Sequence, residues 1–343
     1  MMLQTSFFDL TQRHQKLNER DPLVMLNELI DWEHFRETLQ LVRKKQRKNK
    51  AGRKPFDGVL MFKALILQHC YNLSDDELEY QIRDRYSFCR FLGLSPEDRI
   101  PDAKTVWLFR EELVKLDLVK SLFNDFELQL EERGYQAKKG QMVDASFVDV
   151  PKQRNTRKEN EQIKVGETPE RFEENPAVGS QKDTDARWTK KNDEVHFGYK
   201  DHVAVDNAHK LIRDYEVTSA EVHDSQVFEG LLAENTSKDV WADSAYRSEE
   251  KELILELMGY RSHVHKKGKK NKPLSKRDQR ANKTKSRIRV RVEHVFGSIT
   301  NEQGGLYFRV IGLCRIKAKV GLMNIVYNMR RFISLKRVSA SAF

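Results

Sequence analysis

Two runs decide how this chain folds: QMVDASFVDV (141–150) and VWADSAY (240–246). Both are short and rich in valine and aromatic residues, the composition of a strand packed on a core. Each carries an aspartate where the apolar run gives way, Asp144 in the first and Asp243 in the second. Asp149 also lies in the first run, but an offset of five puts it on the opposite face from Asp144, so at most one of the two serves a common site. A lone Asp near a strand end is usually a turn former. Asp243 is different, because a charge between Trp241-Ala242 and Ala245-Tyr246 is costly to bury unless it is paired or metal-bound. A third carboxylate, Glu293, stands in RVRVEHVFG (289–297). Ile288, Val290 and Val292 alternate like a strand, whereas Val292, Val295 and Phe296 keep helical spacing; we read a helix. Arg289, four residues before Glu293, could simply pair with it along that helix. Carboxylates at strand ends, facing a third on an arginine-rich helix, suit a two-metal phosphoryl-transfer site. Hard oxygen ligands hold Mg²⁺ (or Mn²⁺) with positions left open for phosphate.

Outward from these runs, further strands are expected at HFGYKDHVAVD (196–206), LIRDYEVTSAEV (211–222) and RSHVH (261–265). Helices are expected at DSQVFEGLLAE (224–234) and SEEKELILELM (248–258), and a long one ends the chain. This order, over residues 136–335, resembles an RNase H-like fold: a mixed central sheet flanked by helices, α+β or α/β in class. Residues 151–193 are polar and aperiodic and read as a mobile loop or partly ordered insertion. Residues 1–135 read as a helical DNA-binding or scaffold domain, and 336–343 as a tail. In the N-terminal region Ser74-Asp75-Asp76-Glu77 has the form of a capping box opening a helix over 73–94. Ser95-Pro96 reads as a second helix start and Asp102 as the cap of a third. Such short helices are compatible with a helix-turn-helix but are more often plain scaffold.

Charge is distributed unevenly. From Arg261 to Arg291 there are fourteen Lys/Arg and one acid, a net of +13 in a chain whose total is +10, which leaves −3 for everything else. A second block, 41–54, holds eight basic residues and no acid. Basic runs are commonly solvated faces. Here one leads directly into Glu293, which favours a nucleic-acid surface, with Lys266, Lys267, Lys269, Lys270, Arg287, Arg289 and Arg291 as the phosphate contacts. The three cysteines, Cys70, Cys89 and Cys314, are widely spaced, as in a reducing cytosol and unlike a disulfide scaffold or CxxC site. The run GVLMFKALILQHCYNL (58–73) is interrupted by Lys63 and too short to span a bilayer. No secretory leader pattern opens the chain, so a cytoplasmic protein without membrane partners is expected.

The Asp144–Asp243 interval is 98 residues and the Asp243–Glu293 interval 49. With these spacings the chain resembles the DDE transposases of bacterial insertion sequences, in the insertion-sequence-five family. The resemblance runs from LSDDELEYQIRDRYSFCRFLGL (73–94) and IPDAKTVWLFR (100–110) through KDTDARWTKK (182–191) and HFGYKDHVAVD. It continues to EVHDSQ (221–226), ADSAY (242–246) and RVEHVFG (291–297). It implies a catalytic triad of Asp144, Asp243 and Glu293 holding Mg²⁺ or Mn²⁺, with Arg289 as a phosphate or transition-state contact. It further implies cleavage at element ends, transfer of those ends into target duplex, and a homodimer or larger synaptic assembly. Ser286 and Thr300 stand where the family's glutamate signature has Tyr and Lys. Two other readings are a metal-dependent DNA nuclease without strand transfer and a non-catalytic DNA-binding descendant. Four histidines of the central region (His196, His202, His209, His223) match no compact zinc pattern. His223-Asp224 is expected beside the metal site, and Trp188 either stacks on a base or fills a core edge.

Overall fold

The computed structural model describes residues 21–43, 54–95, 97–191, 193–232, 234–268 and 273–340. Contacts divide the chain into two units, residues 1–129 with 325–343 and residues 130–324. The boundaries read from sequence differ, because the C-terminal helix, Leu313–Ala340, reaches into the segment taken as a tail, whose last three residues lie outside the described ones, and residues from 325 on group with the first unit.

The first unit is helical: α1 (Pro22–Leu29), α2 (Arg36–Gln40), α3 (Gly58–Cys70), α4 (Asp75–Asp84), α5 (Tyr86–Leu92), α6 (Ala103–Lys115) and α7 (Leu118–Glu132). Helix α3 is the apolar run noted above, capped by Asp57, and its Met61, Phe62, Leu65 and Ile66 are buried. Its one interruption, Lys63, lays its stem along the aromatics and holds its ammonium 5.1 Å from the Trp32 ring and 2.7 Å from Asn27 Oδ1. The single helix expected over 73–94 is two helices. Arg85 between them is extended, and its guanidinium lies 4.5 Å from the Phe88 ring, so that Leu78 and Ile82 bury on one helix and Phe88, Phe91 and Leu92 on the next. Ser74 does accept from Glu77 N–H (3.1 Å), but Glu77 takes its own bond from Gln81, so the box is made by half. No helix starts at Ser95: Asp98 N–H turns back to its carbonyl (3.0 Å), and the next helix begins at Ala103 under the Asp102 cap.

The second unit is built on one mixed sheet of β1 (Gln141–Asp149), β2 (Arg187–Lys191), β3 (Glu194–Asp206), β4 (Ile212–Ser219), β5 (Asp239–Trp241) and β6 (Arg261–Ser262). From one edge the main strands run β4-β3-β1-β5-β6. β3 is antiparallel to both β4 and β1, and β5 and β6 are parallel to β1. That order and polarity define the RNase H-like fold, and β2 adds a short hairpin on the N-terminal half of β3. Gly140 lets β1 enter beside β5: its φ is +81°, and a Cβ there would lie 2.4 Å from the Asp239 carbonyl.

One face of the sheet packs Val143, Ala204 and Val240 against Phe228, Leu231, Tyr246 and Leu255. Phe228 and Leu231 reach that core from turns; after a 3₁₀ turn at Asp224–Gln226, the helix expected over 224–234 does not form. Gly230 weakens the helical alternative, and burial of the two side chains overrides the local period. The strand expected at 261–265 keeps only two residues, Arg261 and Ser262, and the one at 211–222 ends at Ser219. Residues 151–193, read as an irregular insertion, carry α8 (Arg157–Lys164), α9 (Glu170–Glu174) and α10 (Pro176–Gly179) before β2. Asp183 anchors the segment, accepting from Tyr199 Oη (2.6 Å), Ala186 N–H (3.1 Å) and Gly312 N–H (3.2 Å). Helix α11 (Glu249–Leu257) packs beside the edge strand β6, and the long α12 (Lys276–Glu302) lies against β1 and β5; the C-terminal helix is α13 (Leu313–Ala340).

Candidate active site

The parallel register of β1 and β5 builds the site. Met142 pairs with Trp241, so Asp144, in the first half of β1, and Asp243, two residues past the end of β5, stand side by side on neighbouring parallel strands. Each aspartate commits one oxygen to its own backbone: Asp144 Oδ1 accepts from Ala145 N–H (2.9 Å), and Asp243 Oδ1 accepts from Ala245 N–H as the cap of a 3₁₀ turn. Helix α12 supplies the third member. Val292, Val295 and Ile299 bury on one side of it, which carries Arg289 toward Asp144. The Arg289 guanidinium donates to Asp144 Oδ2 (2.5 Å) and to Glu293 Oε1 (3.2 Å). The helical pair considered from sequence is therefore present, but as half of a three-residue bridge.

Electrostatics follow from burial. Burial pushes the Asp144 carboxyl above the usual carboxylate range and the neighbouring Asp243 adds to this, while Arg289 and the Ala145 N–H offset part of it. Tyr246, buried beneath the same site, is pushed well up by burial and then by Asp224, Asp144 and Asp243. His265 is pushed down by burial and by Arg289, with Asp243 opposing. Among the described residues no three His, Cys, Asp or Glu side chains stand close enough together to ligate one ion. The structure thus brings Asp144 and Glu293 onto one guanidinium and sets Asp243 beside Asp144, without gathering all three carboxylates round a common point.

Several neighbours were not singled out from sequence. Lys200 on β3 donates to Asp224 Oδ1 and to the Val222 carbonyl, both at 2.8 Å, so in the expected His223-Asp224 pair it is the aspartate that faces inward. His223 instead bonds Ser225 (2.8 Å). His265 reaches Ser286 Oγ (3.4 Å), one turn of α12 before Arg289. Strand alternation places Lys200 and His202 on one face of β3, but only folding shows which element closes over that face. Asp149 turns away as expected and meets His196 (3.3 Å). Trp188 is partly exposed and tilted on Phe197 at 4.8 Å.

The expected DNA contacts divide into two groups. Lys266 is tied to Asp278 (2.6 Å), Arg291 to Asn207 Oδ1 (2.6 Å), and Arg289 to the carboxylates. Lys267 and Arg287 are exposed and form no ion pair among the described residues. Lys269 and Lys270 lie outside the described residues, as does most of the 41–54 block. Sequence reasoning missed Arg280 and Lys283, which with Arg287 form an exposed row at helical spacing on α12.

Residues 135–329 match the family model described as transposase DDE domain, and residues 11–112 match the one described as transposase domain (DUF772). A sheet that sets two aspartates side by side on neighbouring parallel strands, with a glutamate on a later helix, is the frame of a DDE-type transposase, and the chain belongs to the transposase DDE-domain family. It is also similar to a cryo-EM structure of the piggyBac transposase synaptic complex with hairpin DNA, at 10% identity and a TM-score of 0.48, over 93% of this chain and 76% of that one. No helix among the described residues is long and apolar enough to cross a membrane.

Proposed function

We propose that the chain cleaves DNA at the ends of its element and joins those ends to target duplex, with Asp144, Asp243 and Glu293 as ligands of Mg²⁺ or Mn²⁺. The observation that carries this reading is the β1–β5 register, which sets two aspartates side by side at one end of the sheet. The residues fit a hard divalent cation. Their donors are carboxylate oxygens, and Asp144 is buried with its charge only partly compensated. Bound ions would supply activation of the attacking oxygen and stabilisation of the leaving one.

The protein's own groups do the rest. Asp144 and Asp243 are fixed by bonds from nearby backbone N–H groups, which pre-orients them for ligation. Water attacks a phosphodiester and the P–O3′ bond breaks, leaving a 3′ hydroxyl; that hydroxyl then attacks a target phosphodiester, forming a new P–O3′ bond as the target's own P–O3′ bond breaks and its O3′ leaves as a hydroxyl. No protein nucleophile is consumed. Arg289 is the group placed to hold a nonbridging phosphate oxygen, and Arg280, Lys283 and Arg287 are placed to hold the duplex backbone. One observation favours a second reading, a non-catalytic DNA-binding descendant: Arg289 already satisfies two of the three carboxylates.

Cleavage of a plasmid bearing the element's ends decides between them. Asp144→Asn, Asp243→Asn and Glu293→Gln should each abolish Mg²⁺-dependent cleavage while DNA binding, which rests on Lys and Arg, survives. Near-normal cleavage by any one variant removes that residue from the site, and no cleavage by the parent chain supports the second reading.

A further inference from the structure

We propose that Arg289 is the internal counter-ion of the carboxylate site: without a divalent cation it holds Asp144 and Glu293 together, and the cation binds by displacing it. The inference rests on the metal assignment above. One guanidinium spans both carboxylates, at 2.5 Å to Asp144 Oδ2 and 3.2 Å to Glu293 Oε1. With Oδ1 bonded to the Ala145 N–H, both oxygens of Asp144 are occupied in this state. An incoming ion therefore competes with a hydrogen bond at either oxygen of that residue. Among the described residues the carboxylates are also not gathered for ligation, as expected where a planar five-donor cation sets their spacing in place of a spherical one.

The energetic reason is the burial of Asp144. Its side chain is 15% exposed, and a buried carboxylate left without a cation is strongly destabilising. Arg289 meets that need in the free protein. The same contact makes it a competitor, because a ligand's apparent affinity falls in proportion to the fraction of protein in the competent state. The guanidinium also has a use once displaced. Its Nε–H is buried and has no hydrogen-bond partner among the described residues, so the present position leaves one strong donor unused. A phosphate oxygen is a ready acceptor for that donor. Metal loading and phosphate capture are thereby coupled: the ion that occupies the carboxylates releases the arginine that holds the DNA.

Calorimetric titration of the DNA-free full chain with Mn²⁺ tests this, with melting temperature in EDTA as a second readout. Arg289→Met should bind Mn²⁺ at least about tenfold more tightly than the parent, as expected if the bridged form outnumbers the open one by about ten to one. The same variant should melt lower than the parent in EDTA and recover with Mn²⁺. Arg289→Lys, which keeps the charge but not the two-pronged geometry, should fall between them and serves if the Met variant does not fold. Unchanged or weaker Mn²⁺ binding in the Arg289 variants, with binding lost in Asp144→Asn and Glu293→Gln, overturns the counter-ion role and leaves the metal assignment standing. Parent-like Mn²⁺ binding in Asp144→Asn and Glu293→Gln overturns both.

Discussion

His202 gives the fold a built-in sensitivity to acid that can be measured. It lies on β3 opposite Ala145 of β1, fully buried, with Nε2 2.9 Å from Thr218 Oγ1 and Nδ1 without a partner. Burial, followed by the nearby Lys200 ammonium, pushes its pKa down to about 4, against the opposing pull of Asp224 and Glu216. An unfolded histidine titrates near 6.5. Between about pH 6.5 and 4 the unfolded chain therefore takes up a proton that the folded chain refuses, and stability falls as the pH falls through that window. The gap corresponds to at most about 3 kcal/mol. In His202→Gln the titrating group is gone, while a side-chain amide can still reach Thr218. Urea unfolding followed by near-ultraviolet circular dichroism, at intervals from pH 7 to 4.5, should show the parent losing up to about 2 kcal/mol more than the variant. Other groups titrate in both proteins and cancel in the difference. Parallel stability curves, or a parent that gains on the variant as the pH falls, would refute the reasoning.

Two further outcomes follow from the same coordinates. If Arg280, Lys283 and Arg287 lie on DNA phosphates, replacing all three by Ala should flatten the slope of log affinity against log salt by roughly 2–3 units, at about 0.9 per contact. Lys266→Ala and Arg291→Ala should move it much less, because those side chains are tied to Asp278 and Asn207; a salt-titrated gel-shift series reads both. Gly140→Ala should destabilise the second unit by at least about 2 kcal/mol in urea unfolding, since the new Cβ meets the Asp239 carbonyl at a φ of +81°. An alanine variant of parental stability would show that β1 does not enter the sheet beside β5 in this way.

Elements whose pattern is strong and local can be read from the order of amino acids alone. The β1 run opens on buried Met142 and Val143, and β3 is buried from Phe197 onward, so both read as central strands; α3 is apolar because nearly every residue of it is buried. The three acidic motifs were legible because a carboxylate at the end of an apolar run is chemically out of place. The caps at Asp57 and Asp102 are likewise decided within a turn of chain.

Long-range packing sets the rest, because burial competes with local preference and the outcome depends on residues far away in sequence. The break at Arg85 and the unwound segment at 227–231 both surrender helical bonds to seat Phe88, Phe228 and Leu231 in cores assembled from distant elements. The same distance in sequence hides the partners of the site. Lys200 meets Asp224 across 24 residues, His265 meets Ser286 across 21, and Arg289 meets Asp144 across 145. A spacing rule sees the Arg289–Glu293 pair, four residues apart on one helix. That the same guanidinium also closes on Asp144 depends on where α12 lies against β1, and sheet register and helix packing set that together.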